Sequence, residues 1–198
     1  MKALRFLLVA TLLPFAARHA RAEQAETPER NEPPSAAPPA APTRSVWIAP
    51  TYQVLLSDAF EPSSRHGFGA LAGYEFHVAP TFNVGFVLAY RVFPGSTSTS
   101  QLGYGAILKH FFSAAWASDS GVYPYLDYGL LLQQSFIEGR RGSAVSHDTR
   151  LGGGALMRFG GAALFASLAG HYSRLQYFDI ESKWIPFIEV EVGWAHPF

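Results

Sequence analysis

From Val46 onward the chain alternates, residue by residue, between large apolar side chains and small or polar ones, in segments of about ten residues. The clearest is Phe82 to Phe93. Phe82, Val84, Phe86, Leu88, Tyr90 and Val92 fall on one face, and Asn83, Gly85, Ala89 and Arg91 on the other. A period of two is the mark of an extended strand whose two faces meet different surroundings. Similar segments run over 46–56, 68–78, 101–112, 122–136, 149–159, 162–173 and 183–198. In the last of these Ile188, Val190, Val192, Trp194, His196 and Phe198 oppose Glu189, Glu191, Gly193 and Ala195.

The links between segments alternate in length. Residues 78–81 and 159–161 make tight turns, whereas 57–67, 94–100, 137–148 and 175–182 are longer and more polar. The link 113–121 is a long member of the short set, and its Trp116 is expected at a membrane interface. Segments apolar on one side only, with short turns at one end and long loops at the other, predict an all-β fold: eight antiparallel strands closed as a transmembrane barrel. Closure is required because lipid offers no hydrogen-bond partner to an open sheet edge.

The N-terminus changes the picture of location. Lys2 and Arg5 precede an apolar stretch from Phe6 to Ala17 and a small-x-small site at Ala20-Arg21-Ala22, the pattern of a secretory leader over 1–22. Residues 23–44 are rich in Pro, Ala and Glu, without apolar periodicity, and read as a spacer on the periplasmic side. Residues 45–198 form the barrel domain. The sequence has no Cys, which excludes disulfides, thiolate metal sites and a Cys nucleophile. Within 45–198 nine Lys and Arg stand against eleven Asp and Glu, so no basic surplus points to nucleic acid.

The final strand, with Val190, Val192, Trp194 and Phe198 at alternate positions, resembles the last strand of bacterial outer-membrane β-barrels, which the barrel-assembly machinery reads. The region 45–198 as a whole resembles the small eight-stranded porin-like or OmpA-like barrels. That resemblance implies the outer membrane, contact with its lipids and lipopolysaccharide, and a C-terminus on the periplasmic side.

An eight-stranded barrel is just wide enough for its own side chains to fill. The inward set holds Glu75, Arg91, Lys109, Asp127, Arg150, Arg158, Glu189 and Glu191, four acids and four bases that are expected to satisfy one another. Glu75 and Arg91 lie on adjacent strands, as do Lys109 and Asp127. The expectation is a packed polar plug.

One constellation carries possible chemistry. His171 and Ser173, two apart on the seventh strand, share a face, and Glu181 follows in the last loop. This context resembles the outer-membrane lipid A 3-O-deacylases. The resemblance implies Ser173 as nucleophile, His171 as base and Glu181 as the orienting acid. Both residues belong to the lumen face if Leu164, Leu168 and Tyr172 are the lipid row. Arg140-Arg141 in the third long loop is a candidate for lipopolysaccharide phosphates. His66 and His147 are placed in the long loops as a possible metal pair. The run GFGALAG at 67–73 lacks the spacing and the βαβ context of a nucleotide-binding loop, so no cofactor is expected. The reading is an envelope-structural or surface-interacting barrel acting through its outer loops. The alternatives are a lipid A acyl-ester hydrolase and, more distantly, a narrow channel.

Overall fold

The computed structural model describes residues 41–57, 65–139, 143–177 and 180–198, with side chains for all of these except 175–177 and 180–183. The expected leader, most of the spacer, Arg140, Arg141 and the side chain of Glu181 lie outside the described set.

Eight strands follow one another: β1 Arg44–Leu55, β2 His66–Ala79, β3 Phe82–Phe93, β4 Thr99–Phe111, β5 Ser120–Ile137, β6 Ser143–Phe159, β7 Ala162–Tyr177 and β8 Ile180–Pro197. Each pairs antiparallel with its sequence neighbours, and β8 pairs with β1 to close the barrel. The seam is completed beyond the ladder: Phe198 N–H donates to the Arg44 carbonyl at 2.9 Å, and the Phe198 carbonyl accepts from Thr43 and Arg44 N–H. Every backbone edge is thereby used, which is what a lipid surrounding demands.

Directly opposed residues trace a circuit from Ser45 to Glu75, Gly85, Ile107, Gly129, Arg150, His171, Phe187 and back to β1 at Leu55. The circuit returns ten residues further along the strand. With ordinary strand rise and spacing, this stagger corresponds to a tilt of about 40° from the barrel axis.

The two faces separate as the alternation predicts. Phe86, Leu88, Leu151, Leu168 and Val192 are exposed on the outside, while Arg91, Asn83, Gln53 and Glu189 are fully buried within. An exterior row of apolar side chains around a charged interior is the inverse of a soluble protein, and it identifies the lipid-facing side.

The outer ends of three strands run further than the alternation showed. β6 begins at Ser143 rather than Thr149, β7 continues to Tyr177, and β8 starts at Ile180. His147 therefore lies within β6 and His66 opens β2, so neither is a loop residue. Both are exposed, on strands separated by half the circuit of the barrel, so they do not share a metal ion.

Candidate functional site

The lumen is built in layers, starting at the end that carries the short turns. There the link between β4 and β5 folds back over the mouth, which corrects the placing of Trp116 at a membrane interface. Ala115 and Trp116 are buried, and the indole stacks on His77 with centroids 3.9 Å apart and planes 9° from parallel. Trp116 Nε1–H donates to Asn83 Oδ1 at 3.1 Å, and His77 is held by the Pro42 carbonyl at 2.8 Å and Ser45 Oγ at 3.1 Å. An indole that finds a ring to stack on and an acceptor for its N–H is better placed here than among headgroups. Phe111, Tyr125, Trp47 and Phe165 complete this aromatic floor.

Two glycines make room for it. A Cβ on Gly73 would clash with the Trp47 ring, and one on Gly193 with the Phe165 ring. The two rings meet edge to face at 5.6 Å.

Above the floor stands a ladder of buried ion pairs. Lys109 Nζ lies 2.6 Å from Glu75 Oε1 and within 4.6 Å of the Trp47 ring centroid, so its charge meets both a carboxylate and a π face. Asn83 donates to the other Glu75 oxygen at 2.8 Å. Arg150 is the hub of the next layer: it donates from Nε to Asp127 Oδ1 at 2.7 Å, from Nη2 to Asp127 Oδ2 at 3.2 Å, and from Nη1 to Glu191. Ser167 Oγ–H occupies the remaining Glu191 oxygen at 2.9 Å. Glu189 is fully buried. It accepts Arg91 Nε–H and Gln53 Nε2–H on Oε2 at 2.7 and 2.8 Å, with Arg91 Nη2 on Oε1 at 3.1 Å. Such multiply bonded pairs are the form in which charge survives in a dry interior.

The expected set of four acids and four bases is therefore rearranged. Arg91 does not reach Glu75 on the adjacent strand: it stands opposite Gly69, six residues along β2 and about 20 Å away at strand rise. Its partner is Glu189, across the lumen. Lys109 and Asp127 are direct cross-strand neighbours, yet Lys109 leans to Glu75 and Asp127 to Arg150. Arg158 stands outside the ladder, at the turn end, bonded to the Ala115 and Ser118 carbonyls.

Asp148 and His171 take part instead. His171 Nδ1 lies 2.7 Å from Asp148 Oδ2, Nε2 lies 3.2 Å from Glu189 Oε1, and the ring stacks on Phe187 at 4.2 Å. Gln133 donates to the same Asp148 oxygen at 2.6 Å. Asp148 lies in β6 and not in the long link expected over 137–148, and the small-or-polar alternation of Ala144, Ser146, Asp148 and Arg150 turns it inward. Ser173 is buried beside this group, and its Oγ makes no hydrogen bond. The His171 ring is thus held by two carboxylates, not by Ser173, and neither side chain faces lipid. Leu55, Phe93, Ala144, Ile185 and Phe187 cover the layer from above.

The residues of the assembly signal lie on the outside: Val190, Val192, Trp194 and Phe198 are all exposed. His196 stacks between Trp194 and Phe198, with centroids 5.8 and 6.4 Å away, so the row is continuous in aromatic surface.

No protein-family model matches the chain, and no curated protein matches it in sequence. Solved structures do match in fold. Neisserial surface protein A superposes with a TM-score of 0.58 at 17% identity, covering 78% of this chain and 97% of that one. Ail, the attachment invasion locus protein of Yersinia pestis, gives 0.54 at 15% identity in its complex with the heparin analogue sucrose octasulfate, covering 80% of this chain and all of that one. Ail without that ligand gives 0.51 at 14% identity, with the same shares covered. The fold is that of the small eight-stranded outer-membrane barrels.

Proposed function

We propose that this chain is an outer-membrane protein whose barrel is a closed anchor, and whose work is done at its long-loop end by contact with lipopolysaccharide and a surface partner. The observation that carries this reading is the filled lumen. Aromatic floor, ion-pair ladder and apolar cap fill the interior, where among the described residues Arg91 pairs with Glu189, Lys109 with Glu75 and Arg150 with Asp127 across the space a solute would need. The alternation of short turns and long links supports placing the spacer and the C-terminus in the periplasm, with the barrel-assembly machinery as partner during insertion.

On the outside of the barrel, towards the long-loop end, Tyr172 and Trp184 stack at 4.3 Å, with the Arg174 guanidinium 5.5 Å from the Trp184 ring centroid. An aromatic pair with an adjacent cation is the chemistry of a lipid headgroup boundary, where phosphates are available to arginine. The surface and attachment names of the two structural neighbours accord with an outward-facing role.

Planar-bilayer recording of the refolded chain tests the closed anchor. Conductance at the level of a plugged control barrel is expected, and resolved channel steps would overturn it. Lipopolysaccharide should raise the temperature at which the folded band is lost on electrophoresis, and Arg174→Gln should reduce that gain. An equal gain in the variant would remove Arg174 from the contact.

A further inference from the structure

Three of the buried arginine and lysine side chains in the lumen each sit against a carboxylate that is itself buried: Arg91 on Glu189, Lys109 on Glu75, Arg150 on Asp127, all within 2.7 Å. Arg158 is built differently. Its side chain is 2% exposed, yet its carboxylate partner among the described residues is Asp119, 3.5 Å away and 78% exposed. Its other partners are neutral. Nη1 donates to the carbonyls of Ala115 and Ser118, the Trp116 ring lies 5.1 Å from Cζ, and Nε has no hydrogen-bond partner. Carbonyls and a ring face orient a guanidinium without neutralising it, and a buried cation in that state favours an anion beside it.

Space for one is present. A cavity of about 250 Å³ opens at the turn end of the barrel, lined by Arg158, Asp119, Gly160, Gly161, Pro42 and Pro197. Its glycine wall is unobstructed: a Cβ at Gly160 or Gly161 would meet nothing within 4 Å. Among the described residues the lining offers one buried cation, one exposed acid and no other charged side chain.

We infer that this cavity is a binding site for a phosphate-type oxyanion, with the Arg158 fork as its anchor and Asp119 as a weak internal competitor for the same guanidinium. An arginine fork matches the paired oxygens of a phosphate. The cavity opens at a barrel end, so the phosphate has two sources: free in solution, or the headgroup of a lipid.

The test uses the full chain refolded in a phosphate-free maltoside micelle, with the backbone amide signals of Gly160 and Gly161 followed by NMR. One arm adds inorganic phosphate, and the other adds short-chain phosphatidylglycerol. Saturable shifts at these two glycines are expected in at least one arm, and the responding arm names the source. Arg158→Gln should weaken binding by at least about tenfold through loss of the bidentate contact. Because that variant also loses the bonds to the plug, Asp119→Asn is the decisive one. It is exposed and leaves the fold intact, and removing the competing carboxylate should tighten binding about three- to tenfold. Absence of saturation in both arms, or an Asp119→Asn affinity equal to or weaker than wild type, would overturn the site.

Discussion

The His171 imidazole and the Asp148 carboxylate face each other at 2.7 Å across the β6–β7 seam, inside the barrel. With Glu189 on its second nitrogen, the ring serves as a strut between two acids. Incubating the refolded barrel with lipid A should therefore leave every acyl chain in place, as read by mass spectrometry, and Ser173→Ala should behave identically. Loss of an acyl chain with the parent but not with Ser173→Ala would restore the hydrolase reading.

Arg150 holds Asp127 and Glu191 and lies 3.3 Å from Glu189. Its removal strands several buried carboxylates at once. Arg150→Ala should lower the stability of the folded barrel by about 3–5 kcal/mol, the usual cost of breaking a buried pair from one side. Urea unfolding in micelles would show the midpoint fall. An unchanged midpoint would mean that water reaches the ladder and solvates it.

Gly73 lies where the Trp47 ring needs it bare. Gly73→Ala is expected to cost about 1–3 kcal/mol as an overpacking change, and combining it with Trp47→Phe should recover part of that loss. If the two changes simply add, the close approach is not what constrains the glycine.

Phe198 closes the β1–β8 seam through its backbone and extends the aromatic row of Trp194 and His196. Deleting it should reduce the fraction of chain that reaches the heat-modifiable folded form in cells. Equal yield of folded protein would show that the row ending at Trp194 is signal enough.

What could be read from the chain follows the reach of the lipid. β3 spans Phe82–Phe93, as its alternation requires, because bilayer on one side and lumen on the other act on every residue. The outer part of β6, from Ser143 to Asp148, escaped because beyond the lipid the outward face is no longer obliged to be apolar, so Val145 and His147 serve equally well. The facing of the lumen charges was legible for the same reason as β3. Their partners were not. Pairing is decided by level along the axis, which depends on the stagger of the closed sheet, so Arg91 finds Glu189 across the lumen and not Glu75 on the adjacent strand. Trp116 illustrates a different limit: an aromatic in a turn suits both an interface and a plug, and only the stacked His77 and the acceptor on Asn83 decide between them.

The ten-residue offset between Ser45 and Leu55 is an even number, and that parity matters more than its size. A sheet with two unlike faces can be joined to itself only by an even shift. An odd one would set inward residues of one strand opposite outward residues of its neighbour at the seam, and a carboxylate of the ladder would have to emerge into hydrocarbon. Single-residue insertions or deletions in the spanning part of any strand are therefore forbidden unless a bulge absorbs them, whereas the outer reaches of β5 to β8 are free to lengthen. The barrel can diversify at its rim by any step, and within the membrane only by twos.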